Sequence, residues 1–262
     1  MLSNIISQAR RVFSCLVVLF LFSACTPVPQ TPSAVNLDTN NNEVQVNESV
    51  VDSVPASIRQ ARTIQMSKDS AVVTWGTVRG ERVVRGSGAY FVHKGSHFVI
   101  TAYHVYDDPR IEGALVQSQS GEMVAGTMIY ASPERDVCVL LVPRMRTVEA
   151  AKFNPIRPAQ ADEGLEVLYT GFPGNHGHTE PLTLQGTLAG IDDGSGFVII
   201  QSYAWMGSSG SGVFDSRGRY IGVLVALDVD RGLFGPQLQE NIVYVSPIWG
   251  VSVEEIEGLL ED

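Results

Sequence analysis

Short β-branched runs broken by turn residues dominate this chain and limit it more than any other feature. They fall into two series. The first holds Ala71–Trp75, Arg82–Val84, Gly88–Val92, His97–Thr101, Ala114–Val116, Met123–Tyr130 and Val137–Val142. The second holds Leu165–Thr170, Leu182–Leu188, Phe197–Gln201, Gly212–Phe214, Tyr220–Leu227 and Ile242–Val245. Runs of this length and spacing, bounded by Gly, Asp, Ser or Lys, predict closed or stacked antiparallel sheets. Between the series, Arg144 to Asp162 carries two prolines and breaks the pattern. Two all-β halves joined by a connector are therefore expected. Short helices are predicted at the ends: Pro55 to about Ser67, with Ile58, Ala61 and Ile64 on one face, and Val253–Leu260.

The N-terminus has a different character. Arg10 and Arg11 precede the apolar run Val12 to Ala24, and no acidic residue comes before Cys25. A basic start, a short apolar core and small residues at the end make an export signal, too short for a spanning helix. Leu21-Phe22-Ser23-Ala24-Cys25 resembles a bacterial lipobox, which implies lipidation at Cys25 after removal of residues 1–24. Phe22 departs from the usual leucine, and it fits an ordinary signal-peptidase site less well. Thr26 after the cysteine, by resemblance to Gram-negative lipoproteins, implies the outer membrane facing the periplasm; plain secretion is the other reading. Residues 25–54 are rich in Pro, Asn, Thr and Ser and read as a flexible tether. The domain expected to fold is 55–262, with one half at about 68–145 and the other at about 160–250.

Composition narrows the function. The net charge of −10 argues against nucleic-acid phosphates as a main partner. Hydrophobic residues make up 44% of the chain, enough for a real core. Once the signal is gone, Cys138 is the sole cysteine of the domain, so no internal disulfide and no cysteine-based metal cluster is expected.

Three stretches carry candidate chemistry. Met206 to Gly212 is a run of glycine and serine between two strands. It reads as a hairpin turn, or as a nucleophile turn with Ser209 at its tip and the N–H groups of Gly207 and Ser209 aimed at one point. His104 follows a strand in Thr101-Ala102-Tyr103-His104-Val105 and suits proton transfer near neutral pH. Asp136 stands just before Val137–Leu140, where partial burial calls for a partner such as a histidine N–H. Each has a plain structural reading when taken alone. Together they give histidine, aspartate, serine, the chain order of a chymotrypsin-type triad.

On these residues the chain resembles the trypsin-like serine proteases, most closely the bacterial Deg/high-temperature-requirement type. The resemblance rests on TAYHV around His104, ERDVCVLLV around Asp136, GFPG at Gly171–Gly174 and GSSGSGVF around Ser209, and spans roughly residues 57 to 250. It implies two six-stranded antiparallel β-barrels with the active site in the cleft between them. It also implies polypeptide substrates, a catalytic set of His104, Asp136 and Ser209, and an oxyanion hole at Gly207 and Ser209. No stretch after the last helix is expected to form a PDZ-like domain, and no cofactor or metal is expected. The resemblance places Val225, Ala226 and Leu227 beside the primary specificity pocket; with Tyr203 they carry no charge, so a small or medium apolar residue is expected before the cleaved bond.

Departures stand beside these matches. Ser208 occupies a position where the family commonly has Asp or Asn, Ser211 replaces a common glycine, Gly212 a common proline, and Met206 stands where bacterial members often have proline. The Ser208 change is expected to loosen the oxyanion turn. His176 and His178 read as a solvated loop lacking a third metal ligand. Asp107 and Asp108 follow His104 too closely to serve as the triad acid, and Asp228 and Asp230 read as loop charges. The competing function is a non-catalytic peptide-binding protein on the same fold. An esterase of another fold needs Gly-x-Ser-x-Gly and the reverse order; Ser211 and the order both oppose it.

Overall fold

The computed structural model describes residues 55–159, 162–174, 180–232, 235–248 and 253–261; the side chains of residues 226–240 and of several residues in the last helix lie outside that description. Among the described residues, helix α1, Ala56–Ser70, leads into thirteen strands, and helix α2, Val253–Glu261, follows them. The first barrel is built from β1 (Ala71–Val78), β2 (Glu81–His93), β3 (Ser96–Thr101), β4 (Gly113–Gln117), β5 (Met123–Ser132) and β6 (Val137–Leu141). Their order is β1-β4-β5-β6-β3-β2, and β1 pairs with β2 to close the ring. A two-strand-residue addition, β7 (Ala151–Lys152), joins β2 in parallel. The second barrel is closed in the order β10-β13-β12-β11-β8-β9. Its strands are β8 (Glu166–Gly171), β9 (Leu182–Ile191), β10 (Val198–Gln201), β11 (Gly212–Asp215), β12 (Tyr220–Gly232) and β13 (Gly235–Pro247). This is the chymotrypsin-like fold, and the expected pair of six-stranded barrels is present.

Four details differ from the sequence-based expectation. Arg82–Val84 and Gly88–Val92 form one strand, β2, because Gly86 and Gly88 remain extended and pair with β1. The presumed connector contributes β7. Asp228 and Asp230 lie inside β12, whose hairpin with β13 extends well past the barrel. Helix α1 does not bury Ile58, which is 45% exposed. It buries Thr63, Ser67 and Ser70 instead. Thr63 donates to the Ser216 carbonyl and Ser67 to Thr170 Oγ1 at 2.7 Å, so the helix docks on the second barrel through hydroxyls that find partners.

The cores of the two barrels meet in an aromatic cluster. Phe91 packs against Tyr220 with ring centroids 4.7 Å apart, and Phe98, Phe153 and Phe214 surround them. Phe91, Phe98, Phe214 and Tyr220 are essentially inaccessible. Burial of each such ring contributes about 1.5–3 kcal/mol. The cluster ties β2 and β3 to β11 and β12, the strands that lead into and out of the candidate site. On the far side of the first barrel, Ile256 of α2 is buried and Ser96 donates to the Leu260 carbonyl.

Candidate active site

Strand register brings His104 to Asp136. β3 and β6 are antiparallel with Thr101 opposite Cys138. Continuing that register past the strand ends sets Tyr103 opposite Asp136, and the Tyr103 N–H indeed donates to the Asp136 carbonyl at 3.2 Å. A single 3-10 turn, Tyr103–Val105, then rotates His104 toward the aspartate. Asp136 Oδ2 accepts from His104 Nδ1 at 2.7 Å, and Oδ1 accepts from the His104 backbone N–H at 2.7 Å. Both carboxylate oxygens thus hold the same residue. Asp136 has φ +50°, the left-handed region that Asp and Asn enter more readily than most residues. Its side chain is mostly shielded while His104 is 45% exposed, so part of the ring stays open.

The turn that carries Ser209 is fixed peptide by peptide. The Met206 carbonyl accepts from Gly174 N–H at 2.7 Å, and the Gly207 carbonyl accepts from Ser87 Oγ at 2.7 Å. Ser208 N–H donates to Trp205, and the Ser208 carbonyl accepts from Ser211 N–H. The Ser209 carbonyl accepts from Ser87 N–H at 2.7 Å, while Gly210 N–H donates to Leu224 in β12. A trans peptide points its N–H opposite to its C=O. With their carbonyls committed elsewhere, the N–H groups of Gly207 and Ser209 point away from those contacts, and among the described residues neither has an acceptor. Glycine is required at two points. A Cβ at Gly207, φ +97°, would stand 2.3 Å from the Gly174 nitrogen; one at Gly210, φ +93°, would stand 1.9 Å from the Ser87 carbonyl.

The two pieces meet at β2. A Cβ at Gly86 would touch both Val105 and the Ser209 carbonyl, at 2.7 and 3.1 Å, so the residue after His104 and the serine turn flank one point. No hydrogen bond joins the Ser209 hydroxyl to the His104 ring in this structure. Ser209 itself is partly exposed. Beside it, β12 carries a bulge at Val225, whose neighbours Leu224 and Ala226 pair with Val245 and Tyr244. Bulges often re-aim a chain beside a site. Val225 is buried; the side chains of Ala226 and Leu227 lie outside the described residues, as do His176 and His178. Exposed Tyr203 and Met206 border the turn.

Other candidates stay apart from this centre. Asp108 is bound to the Arg110 guanidinium, whose hydrogen bonds hold its carboxyl at about 2. Cys138 is buried, and desolvation pushes its thiol well above the usual range, so it is no nucleophile.

Sequence reasoning passed over two residues. Ser87 ties the serine turn to the first barrel, and its only sequence signal is a glycine on each side within a strand, which marks close approach of another backbone. Arg135, next to Asp136, reaches across to the second barrel and donates to the Ser195 carbonyl at 3.0 Å.

Comparison with known families adds the deciding observation: residues 86–223 match the model of the trypsin-like peptidase domain. That span is more than half of the chain and contains His104, Asp136, Ser209 and Ser87. The chain belongs to the trypsin-like peptidase family. The trypsin-like domain also superposes on the crystal structure of the serine endoprotease from Yersinia pestis, with a TM-score of 0.59 and 21% identity over 80% of this chain and 68% of that one. At that identity the likeness concerns the fold. No curated protein sequence matched the trypsin-like chain.

Proposed function

We propose that this peptidase is a serine endopeptidase working through His104, Asp136 and Ser209. The observation that carries the reading is the pairing of His104 Nδ1 with Asp136 at 2.7 Å. A carboxylate on Nδ1 selects the tautomer whose proton sits there, and leaves Nε2 with a lone pair and, among the described residues, no hydrogen-bond partner. In this mechanism substrate binding brings Ser209 Oγ within reach of Nε2, as catalytic hydrogen bonds commonly tighten only in the complex. Oγ attacks the peptide carbonyl carbon as its proton passes to Nε2. The N–H groups of Gly207 and Ser209 receive the oxyanion, and Asp136 stabilises the imidazolium. The imidazolium then protonates the departing amine as the C–N bond breaks. Water, deprotonated by the same histidine, hydrolyses the acyl-enzyme.

A non-catalytic peptide-binding role is the second reading, favoured by the unformed bond between Ser209 and His104. Labelling the purified domain from residue 54 with a fluorophosphonate probe separates the two. Covalent capture at Ser209 and release of peptides from casein are expected; an unlabelled Ser209 in a folded sample would leave only the binding role. Cleavage-site profiling on the same sample is expected to show small or medium apolar residues before the cut. A profile dominated by Arg, Lys or Glu rejects that specificity.

The same reading places the enzyme in the cell envelope, tethered through a lipid on Cys25. This rests on the lipobox-like Leu21–Cys25 and on the composition of residues 25–54. Cys25→Ser is expected to abolish radiolabelled palmitate incorporation and to move the protein from the membrane to the soluble fraction. Equal labelling of the variant would eliminate the anchor.

A further inference from the structure

We infer that Ser87 is the positioning residue that sets the oxyanion hole, doing from the first barrel what the residue before the nucleophile cannot do here. The inference rests on the serine endopeptidase reading above. Ser208 has no carboxylate or carboxamide with which to fasten the turn. Its hydroxyl is buried near the Tyr169 phenol but makes no well-formed hydrogen bond, and Tyr169 donates to the Tyr203 carbonyl instead. A turn held only by its own backbone would be free to rotate the 206–207 peptide and swing the Gly207 N–H out of place.

Ser87 restrains that freedom, directly at the 207–208 peptide and, through the loop at Phe172–Gly174, at the 206–207 peptide. It is fully buried, and every polar atom it has is engaged. Its Oγ donates to the Gly207 carbonyl at 2.7 Å and accepts from the Phe172 N–H at 2.8 Å. Its own N–H donates to the Ser209 carbonyl at 2.7 Å. Its carbonyl accepts from Thr101 Oγ1 at 2.7 Å, at the end of the strand that leads to His104. One hydroxyl thus bridges the GFPG loop and the nucleophile turn. That loop in turn pins the Met206 carbonyl through Gly174. The peptides on both sides of Gly207 are therefore clamped, and the Gly207 N–H has one direction left. All of these contacts are made within the protein, so the fold itself holds the donors. Alignment in advance is what makes such donors effective at the moment charge develops.

Ser87 touches neither substrate nor reacting atoms in this account, so its loss should act on the chemical step and not on ground-state binding. For Ser87→Ala the expected result is a fall in kcat of about 10–100-fold, less than outright loss of a donor, with KM changed less than about threefold. Affinity for a peptide boronate, whose tetrahedral adduct occupies the hole, should fall in parallel with kcat. Ser87→Cys keeps the size with a weaker donor and should lie between alanine and serine on both scales; it also serves if the alanine variant does not fold. A folded Ser87→Ala that keeps kcat within twofold, or whose loss falls on KM with boronate affinity unchanged, overturns the inference. A wild-type enzyme that neither turns over peptides nor captures the fluorophosphonate at Ser209 removes the parent reading, and this one with it.

Discussion

Replacing Ser209 with alanine is expected to lower peptide cleavage by about 10⁴–10⁶-fold while the fold stays intact. Among the described residues the hydroxyl makes no hydrogen bond, so its removal costs none there. What holds the residue is its backbone: the carbonyl on Ser87 N–H and the peptide linkage to Gly210, which is tied to Leu224. The His104–Asp136 pair does not depend on Ser209 and should persist. Thermal unfolding of wild type and variant should therefore nearly coincide, while initial rates on a fluorogenic peptide separate by several orders of magnitude. Residual cleavage should reflect water attack assisted by the remaining donors. A variant that retains more than a tenth of wild-type activity would move the nucleophile elsewhere and end the proposed mechanism.

Asp136→Asn is the second large effect expected, about 10⁴-fold in kcat near neutral pH. The substitution preserves shape, and asparagine accepts the φ of +50° without new strain. Its fault is in the count of acceptors. Asp136 offers one oxygen to the His104 backbone N–H and the other to Nδ1, both at 2.7 Å. A carboxamide has one oxygen and an NH₂ group. Whichever way it is turned, one N–H faces the NH₂. The ring relieves the clash by moving its proton to Nε2, and the nitrogen that should accept the serine proton then carries one. Activity should drop with little change in unfolding midpoint. Retention within tenfold of wild type would mean that Asp136 only shapes the loop.

The fold class was legible because strands of this kind advertise themselves locally. Val137–Leu140 and Val99–Ile100 are apolar and rich in β-branched residues, and turn residues mark their ends. The break at Arg144–Asp162 separated the halves. The first helix misled, since its apolar spacing at Ile58, Ala61 and Ile64 suggested a face that the structure leaves largely open. The wall it meets around Ser216 and Thr170 presents polar groups, and complementary hydroxyls are buried instead. The β12–β13 hairpin ran longer than its apolar core because backbone pairing continued through Asp228 and Asp230.

The catalytic candidates show the same division. Local sequence marked His104, Asp136 and Ser209 only in combination, since each alone has a plain structural reading. The pairing of the first two follows from β3–β6 register, which sequence does not state. Ser87 carried no signal beyond its flanking glycines because its work is done against residues more than eighty positions away, Phe172 and Gly207.

From its order of residues alone this chain determined two β-rich halves, a glycine-serine turn and three side chains suited to acyl transfer, because strand propensity, turn chemistry and functional-group type are local properties. Only the closed barrels decided that the imidazole meets the carboxylate, that two peptide N–H groups have no acceptor among the described residues, and that a serine from the opposite barrel binds the carbonyls of Gly207 and Ser209. Those are matters of register and distance, and they exist only once remote segments are packed together.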